Sequence, residues 1–128
     1  MEEKNNPLSP HLQIYRWQIS SLLSITHRIV GVINIIAITI ICFWSLSLLL
    51  GAENYLIINN FFQSFFGKFV AVGLCWTFSF HILNELRHLF WDLGYGFDLK
   101  ISKITGILAL LGSFVFTILF YLIGKNIF

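Results

Sequence analysis

The sequence predicts an all-α integral membrane protein with three transmembrane helices and a short interfacial segment before them. Of its 128 residues, 57% are hydrophobic and only 11% are charged, and the mean hydropathy is +0.81. Three apolar runs, at about residues 26–50, 62–91 and 103–124, are each long enough to cross a bilayer as a helix. We therefore interpret residues 1–128 as a single membrane-anchor domain with no soluble domain. Three helices bury little surface against one another, so we expect partner chains on their flanks.

The residues before the first run are polar and contain two prolines. Pro7 and Pro10 discourage a helix in the first ten residues. The run at residues 12–19 then includes Tyr15 and Trp17, aromatic side chains of the type that settles at the lipid headgroups. We expect this segment to lie along the membrane surface.

The cations are distributed unequally between the two ends of the predicted spans. Six lie before the first span or around the second connection: Lys4, Arg16, Arg28, Arg87, Lys100 and Lys103. Only Lys68 and Lys125 lie at the opposite side. By the positive-inside rule, the N-terminus and the second connection face the cytoplasm or the mitochondrial matrix. The net charge of +2 is too small to indicate a nucleic-acid partner.

The N-terminus gives no sign of a cleaved targeting sequence. Glu2 and Glu3 open the chain, which argues against an Arg-rich mitochondrial presequence, and no secretory signal precedes Arg16. We expect the cytoplasmic membrane of a bacterium or the mitochondrial inner membrane. In the second case the chain would be made inside the organelle, with its N-terminus in the matrix.

A hydroxyl, an imidazole and a guanidinium stand together where the first span is predicted to begin. Ser24 and Arg28 are four residues apart, so they share one face of a helix, and His27 borders that face. A small polar site is one interpretation. In the other, Arg28 anchors the helix at the membrane surface and Ser24 caps it. Further along, we expect Asn34 to hydrogen-bond a neighbouring helix.

The second span carries His81 at the end of a run that is almost free of ionisable side chains. If the helix leaves the membrane near Asp92, eleven residues at about 1.5 Å each place His81 roughly 16 Å inside, close to the midplane. An imidazole is costly there, which points to a function. A buried neutral imidazole suits a metal or haem ligand, while a hydrogen-bonded packing residue and a proton-relay member remain alternatives.

The third span and the connection before it are interpreted as structural. The connection at residues 93–98 is broken by glycines and carries aromatic anchors. The span itself places small residues where helices can approach closely: Gly106, Ala109, Gly112 and Ser113. The sequence contains no Gly-rich phosphate loop, nucleophile motif or metal-binding cysteine cluster.

Two motifs stand out in this three-span setting. One is Ser24-Ile-Thr-His27-Arg28-Ile-Val-Gly31, and the other is His81-x3-Glu85-x-Arg87-His88-Leu-x-Trp91-Asp92-x-Gly94. Together they resemble the cytochrome b membrane-anchor subunit of succinate dehydrogenase, respiratory complex II. The lead-in Ser9-Pro10-His11-Leu12-x-Ile14-Tyr15 is similar too, so the resemblance extends from about residue 9 to residue 98.

The resemblance implies a subunit of succinate:ubiquinone oxidoreductase, which passes electrons from succinate to ubiquinone in the respiratory chain and the tricarboxylic acid cycle. It implies that His81 is an axial ligand of the haem b iron and that Ser24 and Arg28 border the ubiquinone site. His27, Arg28 and His88 would lie near the haem propionates. No catalytic residue is assigned to this chain, and no activity is expected from it alone. FAD and the iron–sulfur clusters would belong to a flavoprotein subunit and an iron–sulfur subunit, because nothing in this chain could hold them.

A haem with two histidine ligands needs a second imidazole opposite His81. His11 is expected outside the membrane and His27 near its inner surface, while His88 is displaced from His81 by roughly 10 Å along the same helix. We therefore predict that the sixth ligand comes from a second membrane-anchor chain, so that the haem bridges two subunits.

Two positions depart from the family pattern. The family commonly has Gly four residues after the haem histidine, where this chain has Glu85, and Val30 replaces a small hydroxyl residue. Glu85 diverges from Arg87 at a spacing of two, so we expect its partner near His81 or on another chain. Glu85 motivates a second hypothesis, a purely structural anchor that has lost haem, quinone chemistry or both. A third, a small transporter or proton-channel subunit, would use His81 and Glu85 but explains neither motif.

Overall fold

The computed structural model describes residues 16–127, which form four helices. They are α1 (Ile19–Leu50), α2 (Ala52–Gln63), α3 (Phe65–Asp92) and α4 (Leu99–Ile127). By length and composition α1, α3 and α4 can each cross a membrane, which confirms the predicted all-α class with three spans. Residues 12–15 of the predicted interfacial segment lie outside the described residues.

The helices extend beyond the predicted spans. Helix α1 begins at Ile19 rather than near residue 26, and α4 begins at Leu99 rather than near residue 103. Apolar runs mark the part of a helix inside the hydrocarbon, but a helix continues beyond it wherever the flanking residues permit. The motif around His27 therefore lies within α1 and not at its beginning.

The connection between the first and second predicted spans contains a helix of its own. Residues 52–63 form a separate helix, α2, where the sequence suggested only a short turn before a span starting near residue 62. Ser64 ends α2 and caps α3, since its Oγ accepts a hydrogen bond from Gly67 N at 3.0 Å. A Cβ at Gly67 would collide with the carbonyl of Phe61, so glycine allows this sharp bend.

The interior of the bundle is small and polar, whereas large apolar side chains point outward. Among the described residues, the buried apolar side chains are Leu23, Val30, Ala37, Phe80 and Ala109, and they are outnumbered by buried polar ones. A Cβ at Gly106 would collide with Leu23, and one at Gly112 would lie 3.2 Å from Leu83. The small residues of α4 thus allow the close helix approach predicted for them. The apolar exterior suits contact with lipid or with partner chains.

Asn34 links α1 to α3. It is 5% exposed, and its Nδ2 donates to the backbone oxygen of Thr77 at 3.5 Å. This confirms the predicted hydrogen bond to a neighbouring helix. An amide is costly in an apolar bundle unless it is bonded, so this contact fixes the pairing of the two helices.

The connection between α3 and α4 is a tight loop. Gly94 and Gly96 have φ values of 88° and 80°, a region that other residues rarely adopt. The indole Nε1 of Trp91 donates to the oxygen of Gly96 at 3.1 Å. The loop thereby returns the first turns of α4 to the side of Trp91 and Arg87.

Candidate haem ligand and quinone site

The two sequence motifs meet where His27 of α1 stacks on His81 of α3. The ring centroids are 4.4 Å apart and the ring planes differ by 8°. Glu85, one turn after His81, completes what we call the His–Glu cluster. Its Oε1 lies 2.9 Å from His27 Nε2 and 3.9 Å from His81 Nε2. The partner that we expected for Glu85 near His81 is therefore His27.

His27 lies at the level of His81, and the expectation that it sits nearer the inner surface is wrong. Because α1 begins at Ile19, His27 stands about two turns inside that helix. The stacked arrangement still prevents both histidines from binding one haem iron. The lone pair of an imidazole nitrogen lies in the ring plane, so the lone pairs of stacked rings do not point at each other. A sixth haem ligand from another chain remains a prediction, supported by the parallel stacking of the His27 and His81 rings.

The surroundings of His81 fit an axial haem ligand. Its Nδ1 is buried with no hydrogen-bond partner among the described residues, so the exposed part of the ring lies on the side of Nε2. Gly31 packs beside this ring, and even a Cβ at that position would lie 3.6 Å from His81 Cε1, an ordinary van der Waals distance. Nε2 can therefore reach a group held on the outside of the bundle. The donor atoms of the His–Glu cluster also lie within 4.8 Å of one another, close enough for a metal ion.

Ser24 and Arg28 line the same cavity between α1 and α3, with a volume of about 430 Å³. We call it the polar cavity, and its other lining residues are Ser20, Ser21, Ile25, Asn84, Arg87, His88 and Trp91. The Arg28 side chain is exposed and makes no hydrogen bond or ion pair with another residue in the described part of the chain. Its donors are therefore available to a ligand.

Arg87 is buried inside the bundle, and counting it among the surface cations was wrong. Its side chain is 7% exposed, and its guanidinium lies 4.2 Å from the centre of the Trp91 ring. It donates to Asn84 and to Ser102 and Thr105 of α4. When Arg87 is left out of the count, five cations lie on the predicted inner side and two on the opposite side. The positive-inside rule still predicts the same orientation.

Sequence reasoning did not assign Asn84, Arg87 and Trp91 to the site. The available signal was their spacing, because Asn84, Arg87 and Trp91 follow one another at intervals of three and four and so share one face of α3. Which helix this face met could not be known.

His88 belongs to the polar cavity rather than to the His–Glu cluster. Its Nδ1 lies 2.8 Å from the backbone oxygen of Asn84, and because a carbonyl only accepts, Nδ1 carries the hydrogen. The Nε2 atom of a neutral His88 is then an acceptor. The ring lies 5.3 Å from that of His27, so the cavity and the cluster are adjacent.

A second cavity lies at the opposite end of α1 and α3. It has a volume of about 360 Å³ and is lined almost entirely by apolar side chains: Ile40, Ile41, Trp44, Asn59, Phe62, Ala71, Leu74, Cys75 and Phe78. We call it the apolar cavity.

Comparisons with known proteins agree with the two motifs. A family model described as the succinate dehydrogenase/fumarate reductase transmembrane subunit matches residues 2–120. The succinate dehydrogenase cytochrome b556 subunit of Rickettsia felis is 42% identical over 115 residues, which cover 90% of each chain. The cytochrome b560 subunit of Reclinomonas americana is 36% identical over 127 residues, covering 93% of this chain and 86% of the relative. The cytochrome b556 subunit of Paracoccus denitrificans is 32% identical over 115 residues, covering 90% and 88%. The chain therefore belongs to the family of succinate dehydrogenase/fumarate reductase transmembrane subunits and, within it, to the cytochrome b type of membrane anchor, as its two motifs predicted.

Proposed function

We propose that this chain forms part of the ubiquinone-reducing site of a succinate:ubiquinone oxidoreductase and supplies one axial ligand to a haem b. The observation that carries the proposal is the polar cavity, where Ser24 presents a hydroxyl and Arg28 presents a guanidinium without a partner among the described residues. A quinone is a flat apolar ring with two carbonyl oxygens. It needs a cavity of this size with a few donors aimed at those oxygens.

Within the cavity, the residues differ in what they offer a quinone. Arg28 keeps its positive charge and can donate to a carbonyl oxygen, so it favours the oxygen as that atom gains negative charge. Ser24, one turn earlier on α1, can donate to the same ligand and can accept from its hydroxyl form. His88 presents an acceptor nitrogen, which suits a reduced quinone hydroxyl.

The haem would be held on the outside of the bundle by His81, with a second anchor chain covering its other face. When bound, the haem supplies a one-electron redox centre. His27 and Arg28 offer donors to its propionates, although His27 Nε2 already bonds Glu85 and must exchange that carboxylate for a propionate. A neutral His88 offers a propionate no donor, so its predicted propionate contact requires the protonated ring.

The partners follow from the chemistry that this chain lacks. Oxidation of succinate would occur on a flavoprotein subunit with FAD, and an iron–sulfur subunit would carry electrons to the quinone. The polar cavity lies at the cation-rich end of the spans, which faces the cytoplasm or matrix by the positive-inside rule. A soluble iron–sulfur subunit docked beneath that surface would be near Arg28.

Purification of the native chain from its own membrane tests this function. We expect it to bring a flavoprotein subunit, an iron–sulfur subunit and a second membrane chain, to show a b-type band in the reduced-minus-oxidised spectrum, and to reduce ubiquinone with succinate. A preparation in which the intact chain carries no flavoprotein would count heavily against the proposal.

Glu85 supports one alternative, an anchor of the same fold without haem. Its carboxylate lies 3.9 Å from His81 Nε2, the atom that would bind the iron, and the side chain is 57% exposed and free to move aside. The spectrum separates the alternatives. Absence of the b-type band with retained quinone reduction would indicate an anchor that has lost haem alone, and absence of both would indicate a purely structural role.

A further inference from the structure

Arg87 is a buried cation in the membrane-spanning part of the chain, and no carboxylate compensates it. Among the residues that the structure describes, the ion pairs within 4.0 Å involve only Glu85 with the two histidines of the His–Glu cluster. A charge of this kind is expensive within a membrane-spanning segment and is by default a sign of function. Because an arginine side chain does not deprotonate, the positive charge stays.

The guanidinium is held in one place by its hydrogen bonds. Its Nε donates to Thr105 Oγ1 at 3.2 Å, and its Nη2 donates to the backbone oxygen and the Oγ of Ser102, both at 2.9 Å. Its Nη1 donates to Asn84 Oδ1 at 3.3 Å. These bonds account for four of the five N–H groups of an arginine and leave one on Nη1.

The same guanidinium lines the polar cavity opposite Arg28. One cation comes from α1 and the other from α3, and none of the residues that line this cavity is acidic. Two positive charges with no negative charge between them favour a ligand that is anionic or that gains negative charge during a reaction. A charge that is already fixed in position stabilises such a ligand most effectively, because it need not reorganise at the moment of reaction.

We propose that Arg87 is a second cation of the quinone cavity, positioned by α4, and that it stabilises the negative charge on the quinone as it is reduced. The inference rests on the proposed quinone site. In that reaction succinate gives up two electrons and two protons to become fumarate. The quinone takes two electrons through the iron–sulfur subunit and two protons from water, and each carbonyl becomes a hydroxyl. Arg87 donates no proton and acts by its charge and its remaining N–H.

Three variants of the intact complex test the role of charge. Arg87→Gln removes the charge, Arg87→Lys keeps it without the fork of donors, and Ser102→Ala removes a bond that holds the guanidinium while leaving the charge in place. Quinone reduction is measured per flavin, so that poor assembly does not count as slow turnover. We expect Arg87→Gln to lower kcat about tenfold with a smaller change in KM and Arg87→Lys to restore part of it. Ser102→Ala should lower kcat per flavin by a smaller factor than Arg87→Gln, because the charge stays while one of the bonds that fix it is lost.

A pair of inhibitors separates charge from shape. The probes are an ionised hydroxynaphthoquinone and its methyl ether, which has the same rings and no charge. We expect Arg87→Gln to weaken binding of the ionised compound about tenfold and to change binding of the ether little.

Three outcomes would contradict these proposals. If Arg87→Gln and Ser102→Ala weaken binding of both compounds equally, Arg87 only supports the packing of the helices and the inference is wrong. If Arg28→Ala loses the preference for the ionised compound and Arg87→Gln keeps it, the inference fails while the quinone site stands. If Ser24→Ala, Arg28→Ala and Arg87→Gln all leave quinone reduction and inhibition unchanged, the quinone site itself is wrong.

Discussion

The polar cavity and the apolar cavity are similar in volume, at about 430 and 360 Å³, and lie at opposite ends of the same two helices. They differ in what lines them. The polar cavity has guanidinium, imidazole, hydroxyl and amide groups converging on it, whereas the apolar cavity has one amide, from Asn59, among apolar side chains. Space between helices is therefore common to both ends of this bundle. Directed donors and charge are found at one end, which is the end where we propose the quinone site.

Removing the proposed haem ligand, His81, tests this contrast with the largest expected effect. We expect His81→Ala to abolish the b-type band, because the proposed axial imidazole is lost. Phe78→Ala, in the wall of the apolar cavity, is the matched control and should keep the band. The reduced-minus-oxidised spectrum of the purified complex gives the answer, and an unchanged band in His81→Ala would assign the haem to other residues.

Arg28 gives the next largest effect. We expect Arg28→Ala to slow quinone reduction about 100-fold while succinate oxidation with an artificial acceptor is kept, because a donor aimed at developing charge is lost. Asn59→Ala, in the apolar cavity, should leave both rates unchanged. Equal loss of both activities in Arg28→Ala would instead indicate defective assembly.

Substitution of glycines in α4 tests whether the helices are packed more tightly near the polar cavity than at the opposite end of the bundle. A Cβ at Gly106 would collide with Leu23 and approach the Arg87 guanidinium, one at Gly112 would meet Leu83, and one at Gly124 would meet nothing within 4 Å. We expect Gly106→Ala to destabilise the complex by about 1–3 kcal/mol, Gly112→Ala by less, and Gly124→Ala hardly at all. Thermal denaturation of the purified complexes measures the order. A Gly124→Ala variant as unstable as Gly106→Ala would contradict the packing described.

Glu85 gives the smallest of these effects. Its carboxylate lies 3.9 Å from His81 Nε2, so a nearby oxidised haem iron would be stabilised by the negative charge. We expect Glu85→Gln to raise the haem midpoint potential by roughly 60 mV, equivalent to about 1.4 kcal/mol for a one-electron couple. Glu53→Gln in α2 is the control and should not change it. A spectroelectrochemical titration that finds no difference between the two variants would show that the carboxylate moves away when haem binds.

The bundle of three spans and its family were predictable from the sequence because their signals are local. An apolar run of a given length crosses a bilayer whatever its neighbours do, and the spacing of Ser24 and Arg28 places both on one helical face. The motif that contains His81 identified its family without knowledge of how the helices pack. The small residues of α4 likewise signalled close approach of helices through their size alone.

Which of these helix faces meet depends on how the helices pack. The depth of α1 relative to α3 places His27 against His81 and beside Glu85. The hydrophobic periodicity of each helix predicts neither the relative depth nor the relative rotation of the two helices. The break at Ser64 depends on a contact between Gly67 and the carbonyl of Phe61. The sequence predicted Arg87 to be a surface cation. Its burial could not be predicted, because it depends on hydrogen bonds to Ser102 and Thr105 of the next helix. The helices and their motifs follow from local sequence. The pairing of side chains between helices depends on the relative depth and rotation of those helices, which no single segment contains.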